Sequence, residues 1–224
     1  MGEKRMATYW EVTTLLWTMA IVILGAQSIL FIRRAIPSTI ESQRQMFWGI
    51  AIFFGCYAVT RACFLGGSLL PTYLYEIYWY AATIIGMVGF ITLLFISEKY
   101  PLDCRTRFAG SILAFFSLIM SIVLGSELGR FILAGSLPIT GLMLFALYVY
   151  LIVKTDGEIR RRAIWNTVGL ALLLAGITFD ANLMRDLIAM QFYNFAAVLQ
   201  EIVAPILVIV GVMVFAQPYQ ELEE

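Results

Sequence analysis

The chain contains no histidine. That removes the commonest general base and the usual protein ligand for zinc, copper, iron and haem. It also removes the ordinary Ser-His-Asp and Cys-His nucleophilic arrangements. Cysteine is scarce: Cys56, Cys63 and Cys104 have no metal-knuckle spacing and are too few for a disulfide framework. Cys56 and Cys63 lie seven apart, on one face of a helix, where apolar packing is the ordinary use. Charge is scarce as well. Only 13% of the 224 residues are Asp, Glu, Lys or Arg, with 15 of each sign. That balance gives no reason to expect a nucleic acid or any other polyionic partner. No cofactor or metal is expected. The carboxylates are placed to pair with arginines, so no acid–base pair points to an enzyme.

What the chain has is apolar bulk: 61% of it is hydrophobic and its mean hydropathy is +0.87. A soluble domain of this length needs far more polar surface, so the expected fold class is an all-α, polytopic membrane protein, multi-pass in the plasma membrane. A bilayer core of ~30 Å takes about 20 apolar helical residues. Seven runs meet that scale, at roughly residues 9–32, 46–68, 74–96, 108–126, 131–153, 163–182 and 193–216. The first is too long for a signal-peptide core and has no A-x-A site after it. All connecting loops are short, which predicts one seven-helix domain over residues 1–224.

Basic residues orient the bundle. Arg33, Arg34, Arg44, Lys99, Arg105, Arg107, Lys154, Arg160, Arg161 and Arg162 fall in the loops after helices 1, 3 and 5. The opposite side holds only Lys4, Arg5, Arg130 and Arg185. The N-terminus is therefore expected outside and the C-terminus inside. Trp10 and Trp79 would anchor the outer interface, Trp48 and Trp165 the inner one.

The two halves share a layout. "SQRQMFWGIAIF" and "IRRRAIWNTVGLAL" each open a helix after a basic cluster, which sets Trp48 against Trp165. A parallel 3 + 1 + 3 repeat follows, of the kind known in small sugar transporters. The likeness is of pattern rather than identity.

The few charges inside the apolar runs are the candidate site, because a charge at the bilayer centre costs ~2.5–3.5 kcal/mol on insertion scales. Arg61 stands about 15 residues, or ~22 Å, from the inner start of its helix. Asp180 stands ~25 Å from its own. Glu201 is also expected in the outer half, and Glu76 opens helix 3. Arg61, Glu76, Asp180 and Glu201 thus form an expected ligand-binding or interhelical charge network, gathered at one end of the bundle. Tyr57, Tyr78, Trp79 and Asn182 are expected to line an outward-facing polar cavity, with Tyr73, Tyr75 and Tyr80 near its rim. Gly169, Gly176 and Asp180 share one helix face, and Ala197, Glu201 and Ala204 another, so these faces are expected to turn inward. Pro138 and Pro205 would loosen their helices. Arg160, Arg161 and Arg162 are expected to meet lipid headgroups or a cytoplasmic partner.

Seven helices with an outer N-terminus give a topology similar to that of rhodopsins and heptahelical receptors. The helix-7 core "LQEIVAPILVIVGVM" lacks the lysine that a retinal Schiff base requires. Residues 47–101, with Trp48, Trp79, Gly89, Phe90, Phe95 and Tyr100, resemble the N-terminal seven-helix sensor module of prokaryotic histidine kinases. No kinase domain follows Phe215, so the resemblance implies a stand-alone sensor, or a subunit that signals to a separate partner. The expected function is a non-catalytic, receptor-like membrane protein that binds a small ligand or ion, with a homo-oligomer one of its permitted assemblies. A small transporter or channel is the second reading, and a structural subunit of a membrane complex the third.

Overall fold

The computed structural model of the chain describes residues 2–67, 71–100, 106–180 and 198–220. It is all-helical, with 93% of the described residues in helix. The elements are α1 (Gly2–Ala35), α2 (Glu41–Gly67), α3 (Thr72–Lys99), α4 (Ala109–Lys154), α5 (Gly157–Asp180), a π-helical turn (Leu199–Val203) and α6 (Ala204–Gln220). Among the described residues, six stretches are long and apolar enough to cross a membrane: Glu11–Ala35, Glu41–Gly67, Ile77–Lys99, Phe131–Lys154, Gly157–Asp180 and Leu199–Tyr219. This is the architecture of a polytopic membrane protein. The run at 108–126 forms a shorter apolar helix, Ala109–Gly125, about 25 Å long at 1.5 Å per residue.

Helices α2 and α5 begin before the apolar windows, at Glu41 and Gly157 rather than at 46 and 163. Polar pairs at helical spacing close these added turns. Glu41 accepts hydrogen bonds from Arg44 and from Gln45 Nε2 (2.8 Å), and Glu158 from Arg162 Nε (3.0 Å). An acidic residue in a first turn also complements the positive end of the helix dipole.

The long α4 run is broken at Gly125, whose φ of 78° and ψ of −173° lie outside the helical range. That region is essentially closed to residues with a β-carbon. The chain folds back there: a β-carbon at Gly129 would collide with the carbonyl of Ser121. Eight residues of unbroken helix would instead carry the chain ~12 Å away. The resulting two arms share a core with α3 in which Met87, Ala114, Leu118 and Leu133 pack together.

Packing divides the chain into two compact units: Met1–Ile23 with Thr155–Glu224, and Leu24–Lys154. In the second, α2 and α3 run antiparallel in close contact. A β-carbon at Gly89 would come within 2.9 Å of Cys56 Cβ, and one at Gly49 within 2.7 Å of Ile96 Cδ1. Phe53 meets Phe90 edge-on, with ring centroids 4.9 Å apart. Ser28 of α1 donates to the carbonyl of Ala51 at 2.8 Å, and Phe31 lies against Phe47 and Phe54.

In the first unit, α5 and α6 touch backbone to backbone. A β-carbon at Gly169 would stand 2.5 Å from the Phe215 nitrogen, and one at Gly211 would stand 2.9 Å from the Gly169 carbonyl oxygen. Gly176 faces the carbonyl of Ala204 at 2.9 Å in the same sense. The glycine face of α5 is thus directed at α6, as the small-residue spacing predicts.

Because no flexible side chain can yield at Gly169, Gly169→Ala is expected to lower stability by about 1–3 kcal/mol. Gly25→Ala, at a helical position with nothing within 4 Å, is expected to be neutral or slightly stabilising. Reversible unfolding in mixed detergent micelles measures both, and equal effects at the two sites would contradict the packing described.

Candidate functional site

Arg61 lies near the C-terminal end of α2 and is 6% exposed. Its Nε and Nη2 both donate to the Tyr57 hydroxyl, at 3.1 and 3.0 Å. Tyr57 precedes it by one helical turn, so the local helix geometry itself brings the two together. The guanidinium carbon is 5.1 Å from the Tyr57 ring centroid and 5.4 Å from that of Phe64, within cation–π range. Phe53 stacks behind Tyr57 at 6.4 Å, and Trp79 of α3 stacks on Phe64 at 6.1 Å. At the same level, the Thr60 hydroxyl donates to the carbonyl of Ala82 at 2.9 Å and ties α2 to α3. Aromatic faces and a neutral phenol thus border a cation within an apolar span.

Sequence spacing offers Asp180 and Glu201 as partners for Arg61; both belong to the other unit. There, Asp180 ends α5 and Glu201 lies in the π-helical turn, and both are half-buried. The Gln200 side chain donates to the backbone carbonyl of Asp180 at 3.2 Å. The π turn has a local cause. Pro205 has no N–H, and its ring crowds the carbonyl of Glu201, four residues earlier. Widening the helix by one residue relieves that crowding, and the Ala204 N–H bonds to the carbonyl of Leu199 instead. The expected loosening at Pro205 takes this form.

The aromatic residues expected around a cavity are each engaged differently. Tyr57 is buried beside Arg61, and Trp79 is stacked on Phe64. The Tyr80 hydroxyl donates to the carbonyl of Ser121 at 2.7 Å, close to the break at Gly125, while Tyr78 is 46% exposed. Glu76 lies on α3, and Asn182, Arg185 and Ala197 lie outside the described residues. Arg160 and Arg161 are exposed, and Arg161 and Arg162 share Glu158.

The expectation that buried charge gathers at one end is not met, because Glu98 is 1% exposed at the far end of α3. Its carboxylate receives the Gly110 N–H at 3.0 Å, the Ser111 N–H at 3.1 Å, the Thr106 hydroxyl at 3.0 Å and the Ser111 hydroxyl. An anion thus caps the N-terminus of α4, where unpaired N–H groups and the helix dipole favour one. Arg107 and Phe108, with φ of 52° and 59°, turn the chain into that cap. The spacing from "SEK" to "AGS" holds this signal only in outline. A second unforeseen pair joins the other unit: Asn166 Nδ2 donates to the Tyr219 hydroxyl at 2.8 Å, both side chains being buried. Among the described residues, no three His, Cys, Asp or Glu side chains gather as a metal site.

No protein-family model, curated protein or solved structure matches the chain.

Hydrogen bonds to a charged group contribute about 1.5–3 kcal/mol each. Glu98→Gln is therefore expected to speed amide hydrogen exchange at Gly110 and Ser111 by roughly tenfold or more. Exchange at Thr83, next to the Thr60–Ala82 tie, should be unchanged. Unaltered exchange at 110 and 111 would mean that Glu98 does not hold the start of α4.

Proposed function

We propose that the chain is a non-catalytic, receptor-like or sensory membrane protein of seven spans, with its N-terminus outside and its C-terminus inside. One observation carries this reading: a guanidinium kept inside a membrane-spanning helix, against the rings of Tyr57 and Phe64. An ionisable group at that depth is expensive to insert, and in membrane proteins such groups mark ligand or ion sites. The enclosure is built from dipoles and ring faces, so an anionic group of a small ligand would find a cation already partly desolvated there. The signalling partner is a separate protein, reached through the basic loops, as the resemblance to kinase sensor modules implies.

A second reading, as a small transporter or channel, draws on the other unit. Asp180 ends α5 and Glu201 lies in the π-helical turn that opens the last span, and irregular helix segments near carboxylates are where secondary transporters bind their coupling ions. The 3 + 1 + 3 repeat would agree with it.

The two readings separate in one set of measurements on purified protein. Under the sensory reading, a panel of small carboxylates and phosphates yields at least one compound that raises the melting temperature. Arg61→Gln abolishes that shift and Arg61→Lys retains part of it. Proteoliposomes then show no solute or proton flux above protein-free vesicles. Flux that is lost in Asp180→Asn or Glu201→Gln would assign the chain to transport and overturn the first reading.

A further inference from the structure

The first two turns of α5 combine features that the Arg61 enclosure does not use. Arg160 and Arg161 are exposed, and one turn further on so are Ile164 and Trp165, the latter at 37%. Val168 continues the same exposed stripe a turn later, while Ala163, Asn166, Thr167, Gly169 and Leu170 are buried on the opposite face. Glu158 is taken up by Arg161 and Arg162, at 3.4 and 3.0 Å, which leaves Arg160 with no ion-pair partner among the described residues. Read down the face, the chemistry runs from guanidinium to indole to branched aliphatic. The aliphatic part belongs to the membrane-crossing stretch Gly157–Asp180.

A phospholipid presents the complementary order over the same depth: a charged phosphate, an ester interface, then an acyl chain. An acidic protein partner would match the arginines but not Ile164 and Val168, which lie within the span. We propose that this face of α5 binds an anionic phospholipid, its headgroup on Arg160 and Arg161 and its chain along Ile164, Trp165 and Val168. The selection is for net negative charge. A zwitterionic headgroup carries its own cation beside the phosphate, and three arginines against one glutamate leave an excess of positive charge at the helix start. The indole of Trp165 marks the level at which headgroup gives way to chain. This site is independent of the sensory reading and stands whether or not Arg61 meets a ligand.

The full chain in nanodiscs, with phosphatidylglycerol or phosphatidylcholine carrying brominated acyl chains, provides the test. The Trp165 signal is the difference between the native chain and Trp165→Phe. At equal mole fraction, brominated phosphatidylglycerol should quench that signal about fivefold more effectively than brominated phosphatidylcholine. The preference should vanish in Arg160→Gln/Arg161→Gln and persist in Arg160→Lys/Arg161→Lys, which keeps the charge. Equal quenching of the native chain by the two lipids overturns the proposal even if the glutamine variant fails to fold. A preference that survives in a folded glutamine variant overturns it as well. If soluble polyglutamate, and not phosphatidylglycerol, alters Trp165 emission in a manner dependent on the two arginines, the face belongs to an acidic protein and the proposal fails.

Discussion

In the hydrocarbon core of a bilayer no water is available to pair an N–H, a carbonyl or a charge, so each must find its partner within the protein. The contacts between helices in this chain follow from that constraint. Thr60 reaches the carbonyl of Ala82, Ser28 that of Ala51, and Tyr80 that of Ser121. In each case a side-chain hydroxyl of one helix ends on the backbone of another. Such bonds form only where helices come close, and glycine permits the approach: Gly49 and Gly89 between α2 and α3, Gly169, Gly176 and Gly211 between α5 and α6. Close packing and polar satisfaction are two sides of one arrangement. Exceptions among the described residues include Ser97 Oγ and Asn166 Oδ1, and the second is informative. Asn166 places one end of its amide on Tyr219 and leaves Oδ1 buried without a partner, a site suited to an internal water.

The two charged groups at opposite ends of the α2–α3 pair show how differently the constraint can be met. Glu98 is neutralised by a helix N-terminus and two hydroxyls, so its charge is absorbed into the frame. Arg61 is bordered by two aromatic rings and a phenol hydroxyl, which lower the cost of burying it. The first arrangement is that of a structural clamp. The second sets a cation against ring faces inside a membrane span, and the functional proposal rests on that placement.

Much of this was legible in the sequence, for reasons that lie in its periodicity and composition. Runs of apolar residues matched to bilayer thickness located the helices, and glycines at helical spacing identified the face of α5 that meets α6. The break before the second arm of α4 was visible as the boundary between 126 and 131, although the residue that makes it, Gly125, is recognisable only from its backbone angles. Pro205 was visible as a disturbance, but its resolution as a π turn depends on which carbonyls find donors. Tyr57 as a contact of Arg61 was not anticipated, because a neutral phenol one turn away is not the match that charge alone suggests. Glu98 was missed because half of its donors are backbone N–H groups, and no residue letter records those.

The central claim is that Arg61 is a protein-held cation inside the membrane span, closed off by Tyr57 rather than by water. The most direct measurement is solid-state nuclear magnetic resonance of the arginine side-chain nitrogens in lipid nanodiscs. The account predicts one guanidinium whose Nε–H is protected from exchange with water, and whose signal shifts and begins to exchange when Tyr57 is replaced by phenylalanine. A guanidinium set in which every Nε–H exchanges freely in the native chain, with no change in Tyr57→Phe, would contradict it.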